Sequence, residues 1–204
     1  MNEELKSILS KVRELYNKYG IKSVTMDDVA RELGISKKTI YEYVSDKDQL
    51  VGLFVENEIN IRQKEICNCF RAGSNAIEEL FEISLFMTKT MREQNPATEH
   101  DLKKYYPHHY QKILTARRSG IIEYIIMNLK KGKKEGLYRE EMNEEIIAKL
   151  YLSRVESIHL NDLYSVEEFT SYTIQSELLK YHVRGIATDK GISILEKKIE
   201  DLNK

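Results

Sequence analysis

Apolar residues recur at helical spacing along nearly the whole chain, and this periodicity constrains the fold more than any other feature. Leu5, Ile8, Leu9, Val12, Leu15, Tyr16 and Tyr19 fall at the i, i+3, i+4, i+7 positions of a single helical face. Gly20 follows directly, and glycine readily takes the left-handed conformation that ends a helix. Thr25, with Asp28 three residues on, reads as the start of a second helix whose buried side is Met26, Val29, Ala30 and Leu33. Gly34 stops that helix after about two turns. Ile35 then turns inward, and Ser36 caps a third helix with Ile40 and Val44 on its inner face. Ser45, with Asp48 at the third helical position, is expected to open a longer fourth helix through Leu50, Leu53, Phe54 and Ile61. Four helices thus occupy about sixty residues, with very short connections.

Beyond residue 75 the same period continues in longer segments with looser joints. The spacing predicts a helix from Ala76 to Met91, a break at Asn95 and Pro96, and a short segment leading to Pro107. A long helix is expected from His108 to Lys131, closed by the stretch Lys130 to Glu135 with Gly132 and Gly136. Further helices are expected from Asn143 to Leu160 and from Val166 to Gly185, with a short amphipathic tail from Ile192 to Leu202. With only two prolines and nine glycines in 204 residues, the chain lacks the turn signals that an all-β sandwich needs. The expected fold is all-α, with about nine helices.

Lys and Arg total 32 against 33 Asp and Glu, so net charge points to no polyanionic partner, and any basic surface must be local. No apolar run approaches the ~20 residues of a membrane span, and Glu3 and Glu4 stand where a secretory signal would be basic. Cys67 and Cys69 are one residue apart, would point to different helix faces, and have no metal-ligand pattern around them. These features lead us to expect a cytoplasmic protein with free thiols.

The segment Thr25 to Val44, TMDDVARELGISKKTIYEYV, has the logic of a helix-turn-helix. A short supporting helix leads through a tight turn at Gly34 into a second helix with a polar outer side. Ala30 is small where the two helices cross. Lys37, Lys38, Thr39, Tyr41 and Tyr43 offer cations, donors and aromatic edges to a major groove and its phosphates. The helix start is also a natural phosphate contact. In this respect the chain resembles the TetR family of bacterial regulators. The resemblance rests on Gly20, on Thr25-Met26-Asp27-Asp28-Val29-Ala30, on Gly34-Ile35-Ser36, on Thr39-Ile40-Tyr41 and on Lys47-Asp48-Gln49-Leu50, in order and spacing.

The resemblance implies a helix-turn-helix DNA-binding domain over residues 1–48, with its motif at 25–44. A fourth helix would join it to a helical ligand-binding and dimerisation domain over 49–204. It implies that Thr25 and Met26 lie near the DNA backbone. Ser36, Lys37 and Lys38 would open the recognition helix in the major groove, Thr39 and Tyr41 would meet phosphate or base edges, Tyr43 would touch the flanking backbone, and Lys47 would anchor a phosphate. Tyr41 has an alternative duty as a partly buried aromatic that holds the recognition helix in place. Glu42 either accepts from a cytosine amine or faces solvent. Residues 1–50 carry nine Lys/Arg against nine Asp/Glu, which leaves the domain without excess positive charge.

In the second domain the resemblance places Phe86, Tyr106, His109, Tyr110, Tyr124 and Met127 on helices that surround a small-molecule pocket, each with ordinary core as the alternative. Phe81, Met87 and Tyr105 belong to the same set. It places Ile147, Tyr151, Arg154, Ile158, Tyr172, Leu179, Val183 and Ile186, with Phe169, at a homodimer interface or in the intrachain core. Glu156 and His159 have the Glu-x-x-His spacing of di-iron bundles but no second copy. His108 and His109 project about 100° apart on a helix, and nothing else suggests a metal site. No cofactor and no catalytic constellation is expected. The expected function is a ligand-responsive repressor that binds a pseudo-palindromic operator as a dimer. The alternatives are a protein of the same fold that has lost DNA binding and acts through a partner regulator, and an enzyme built on a helical bundle.

Overall fold

The computed structural model describes residues 3–69, 75–93, 95–160 and 171–202. Among them are ten helices: α1 (Glu3–Tyr19), α2 (Met26–Leu33), α3 (Lys37–Tyr41), α4 (Lys47–Cys69), α5 (Ala76–Glu93), α6 (Pro96–Tyr105), α7 (Pro107–Lys134), α8 (Glu144–Leu160), α9 (Ser171–Ile186) and α10 (Asp189–Leu202). The all-α class is as the sequence indicates. The count exceeds the expected nine because the segment before Pro107 forms a helix of its own, with Asn95 capping it and Pro96 in its first turn. The only ladder pairing is an isolated antiparallel bridge between Tyr138 and Ala187 among the described residues.

The chain packs as two compact units: residues 1–64 with 93–117, and residues 65–92 with 118–204. The first unit therefore extends past the expected boundary at residue 48 and takes in α6 and the opening of α7. Its core joins the apolar face of α1 (Ile8, Leu9, Val12, Leu15, Tyr16) to Ile21, Val29, Ile40, Val44, Leu50, Val51 and Phe54, with Leu102 added from α6. Tyr16 and Phe54 meet edge to face at 5.1 Å between ring centroids. An ion pair between Arg13 and the buried Glu58, 2.7 Å apart, ties α1 to α4.

The end of α1 is closed by groups from α6. Gly20 adopts φ +79° and donates its N–H to the Tyr16 carbonyl. That carbonyl also accepts from the Thr98 hydroxyl at 2.7 Å. Asp101, a buried carboxylate, accepts the Lys22 N–H at 2.7 Å. Orphan groups of a helix end and its turn are thus satisfied by side chains nearly eighty residues on.

The second unit is built on Ala76, Ile77, Leu80, Phe81, Tyr124, Ile125, Leu129, Leu137, Tyr138, Ala148, Leu179, Val183, Ile186 and Leu195. Several of its interior polar groups are paired. The Tyr138 hydroxyl donates to Asn128 at 3.1 Å, and the Asn128 amide donates to the Ala76 carbonyl at 2.8 Å. Glu135 accepts the Ala76 N–H at 2.8 Å, and Lys131 pairs with the buried Glu79.

Two local expectations are corrected. α7 runs past the expected Lys131 to Lys134, through Gly132, which faces the Tyr138 ring where a β-carbon would stand. The left-handed stop is Gly136, at φ +68°. The start of α4 is capped by Asp46, whose carboxylate accepts the Gln49 N–H at 2.8 Å, rather than by Ser45 with Asp48. Asp48 instead lies 3.3 Å from His109.

Candidate nucleic-acid interface

The helix-turn-helix is fixed by three caps. Thr25 sits in extended conformation, accepts the Asp28 N–H, and receives Asp28 in return: that carboxylate accepts from both the Thr25 N–H (2.9 Å) and the Thr25 hydroxyl (2.7 Å). These bonds hold the Asp28 carboxyl below its ordinary range, the hydroxyl contact being the largest cause. Gly34 closes α2 at φ 65°, with its N–H on carbonyls of Ala30 and Arg31. Ser36 then caps α3 by accepting the Thr39 N–H at 3.1 Å, and the two hydroxyls share a bond of 2.9 Å.

The first α3 turn is therefore rigid although the helix is only five residues long, ending at Tyr41 rather than at Val44. Ile40 and Val44 anchor it from inside, fully buried. Lys37, Lys38 and Tyr41 point outward from the same short element, with Thr39 half-buried between them. Lys38 has no ion-pair partner among the described residues, and Tyr41 is 43% exposed, which leaves much of its ring open to a ligand while the rest packs on the protein. Glu42 is exposed. Lys37 is engaged: its ammonium lies 2.9 Å from Asp27 in the first turn of α2, and this contact is the largest cause raising its pKa.

Three further residues expected at the DNA are occupied by the protein itself. Met26 is buried in the core of the first unit. The Tyr43 hydroxyl donates to Glu4 at 2.7 Å. Lys47 donates to the Ile21 carbonyl at 2.7 Å and to that of Lys22 at 3.3 Å, and burial lowers its pKa. It thus serves the turn between α1 and α2. The available outer set is Thr25, Ser36, Lys37, Lys38, Thr39 and Tyr41.

The residues expected around a pocket do not share one environment. Tyr106 and Tyr110 pack on the core of the first unit, and the His109 ring rests on Gly52 of α4. In the second unit Tyr124 is buried and donates its hydroxyl to the Glu79 carbonyl, whereas Met127 is 57% exposed. The side chain of Phe86 lies outside the described residues, as do those of Met87, Ile158, His159 and Tyr172, and the whole of Phe169.

The residues expected at a subunit interface divide as well. Leu179, Val183 and Ile186 belong to the second unit's own core, and Ile147 and Tyr151 are half-buried against it. Arg154 is exposed and lies over the Tyr181 ring at 4.7 Å. What periodicity missed is a second apolar stripe on α8: Ile146 and Leu150 are 58% and 54% exposed, and Tyr181 on α9 is 62% exposed. The i, i+4 relation of Ile146, Leu150 and Arg154 was the available signal. Glu156 takes a two-pronged bond from Arg118, at 2.7 and 3.1 Å.

Comparison with known proteins agrees with this geometry. Residues 8–52, from α1 into the start of α4, match the family model described as bacterial regulatory proteins, tetR family. The chain is 27% identical over 187 residues to the uncharacterized HTH-type transcriptional regulator YvaF of Bacillus subtilis, covering 91% of this chain and 96% of that protein. Among solved structures it resembles a transcriptional regulator from Cytophaga hutchinsonii at a TM-score of 0.77 and 15% identity, over 92% of this chain and all of that one. It also resembles a TetR/AcrR-family regulator from Thermobifida fusca at 0.65 and 14% identity, over 90% of this chain and 98% of that one. No described helix is long and apolar enough to cross a membrane. With the matched motif, a near full-length relative and a shared all-helical architecture, the chain is similar to transcriptional regulators of the TetR family.

Proposed function

We propose that the protein is a ligand-responsive repressor that binds a pseudo-palindromic operator as a homodimer. The observation that carries the reading is the short α3, capped by Ser36, whose Lys37, Lys38 and Tyr41 face outward while Ile40 and Val44 hold it to the core. A helix of this kind fits a major groove, and one copy reads too few bases for specificity, so two copies must act together. The exposed Ile146, Leu150 and Tyr181 on α8 and α9 supply an apolar surface suited to self-association. Response to a small molecule follows as linkage. A ligand favouring a conformer in which two recognition helices no longer match successive grooves lowers operator affinity by its differential affinity for that conformer.

Selection from a randomised duplex pool tests the reading. The protein is expected to enrich an inverted repeat, with binding that falls steeply as salt rises because phosphate contact releases counterions. Lys37→Ala combined with Tyr41→Ala is expected to abolish that binding without unfolding the protein. A protein of this fold that acts only through a partner regulator would enrich no sequence and show no salt dependence.

A further inference from the structure

A helix-turn-helix whose first fifty residues carry as many acids as bases needs an account of where its acids act. In the first turn of α2 two adjacent carboxylates stand where a helix N-terminus favours an anion, and where a DNA phosphate would otherwise be welcome. They have different duties. Asp28 is consumed by the cap: it binds the Thr25 N–H and hydroxyl and pairs with Arg31. Asp27 takes no part in the cap. Among the described residues its side chain pairs with the Lys37 ammonium, 2.9 Å away across the turn, and it is 72% exposed. It therefore places a negative charge beside the first cation of α3, with a first-turn position that also favours the dipole of α2.

We propose that Asp27 is a specificity-determining residue that suppresses binding to random DNA by holding Lys37 as an internal ion pair. The inference rests on the DNA-binding reading above. A cation already held by a carboxylate gains little from a loosely placed phosphate until the competing ligand is oriented well enough to displace Asp27. Random duplex offers a diffuse phosphate surface and meets the Asp27 charge as repulsion. A matched groove offers fixed acceptors to the Lys37 ammonium and rewards the exchange. Asp27 thus subtracts more from non-specific than from specific affinity, which widens the ratio that matters when most of the competing DNA is non-specific. Lys38, the unpaired cation next along, supplies the residual attraction.

The test is fluorescence anisotropy with a labelled mixed-sequence duplex of about 30 base pairs lacking any inverted repeat, between about 50 and 200 mM salt. Asp27→Asn is expected to bind it about five- to ten-fold more tightly, with a log K against log salt slope steeper by about one per protomer, the signature of one more cation free to meet phosphate. In a Lys37→Gln background the same substitution is expected to gain much less, since the pair is already broken. Asp27→Ser, which keeps a residue suited to a helix start, should reproduce the effect, and thermal unfolding of each variant establishes that the domain is intact. Unchanged or weaker binding by folded Asp27→Asn overturns the proposal, as does a gain that persists undiminished in the Lys37→Gln background. Failure of the unsubstituted protein to bind any duplex would instead overturn the DNA-binding reading itself.

Discussion

The helix-turn-helix and the α8–α9 region obey the same helical periodicity, yet they differ in how function is written into it. In the first unit the two kinds of residue are chemically distinct: Ile40 and Val44 face the core, while Lys37, Lys38 and Tyr41 face out. In the second unit the same residue types do both jobs. Leu129 is 1% exposed and Leu150 is 54% exposed, and nothing in a leucine says which it will be. A site that binds phosphates advertises itself by charge, whereas a surface that binds another apolar surface is written in the alphabet of the core.

That contrast can be tested first where the effect is largest. Leu129→Ala is expected to destabilise the protein by about 3 kcal/mol in denaturant unfolding, the usual cost of a cavity in a packed core. A change within about 0.5 kcal/mol, the range typical of surface sites, would show that the second unit has no such core to contrast with the first.

The next effect is one of pH. His182 on α9 is packed beside the Tyr151 ring at 4.6 Å between centroids, and burial, with the Arg154 charge adding to it, lowers its pKa from 6.5 to about 4. The neutral imidazole is therefore the folded form, and the unfolded chain binds more protons between these values. Stability is whole above pH 6.5 and falls as pH drops toward about 4, by up to about 1.4 kcal/mol per unit. His182→Gln should flatten the unfolding midpoint across that window, and an unaltered profile would place the acid sensitivity elsewhere.

The smallest expected effect on folding is the sharpest for the comparison. Leu150→Glu is expected to change monomer stability by less than about 0.5 kcal/mol. It should nevertheless abolish self-association in analytical ultracentrifugation, because an unpaired charge is set into an apolar contact. Retention of the wild-type assembly would remove the α8 stripe from the interface.

The same contrast explains what was readable in advance. The helix-turn-helix was legible because each of its turns is fixed by local chemistry: Thr25 with Asp28, Gly34 in its left-handed conformation, Ser36 with Thr39. Helical content elsewhere was legible from apolar spacing alone. What could not be read were relations between residues distant in sequence. Lys47 has the position and charge of a phosphate anchor, but the Ile21 and Lys22 carbonyls bind it. Gly132 sits in the stretch read as closing α7, but its reason for being glycine is Tyr138, six residues on and beyond a turn. Leu179, Val183 and Ile186 are apolar on a helix that also carries exposed Tyr181, and only packing sorts them.

The closure of α1 by α6 has a practical consequence for hybrid regulators. A graft that took the family-matched segment alone, or even residues 1–64, would leave the Thr98 and Asp101 contacts behind, uncover Leu102's place in the core, and strip the Lys22 N–H of its acceptor. The compact unit that holds the helix-turn-helix is discontinuous in sequence, and a chimera that is to keep its packing has to carry residues 93–117 across with it.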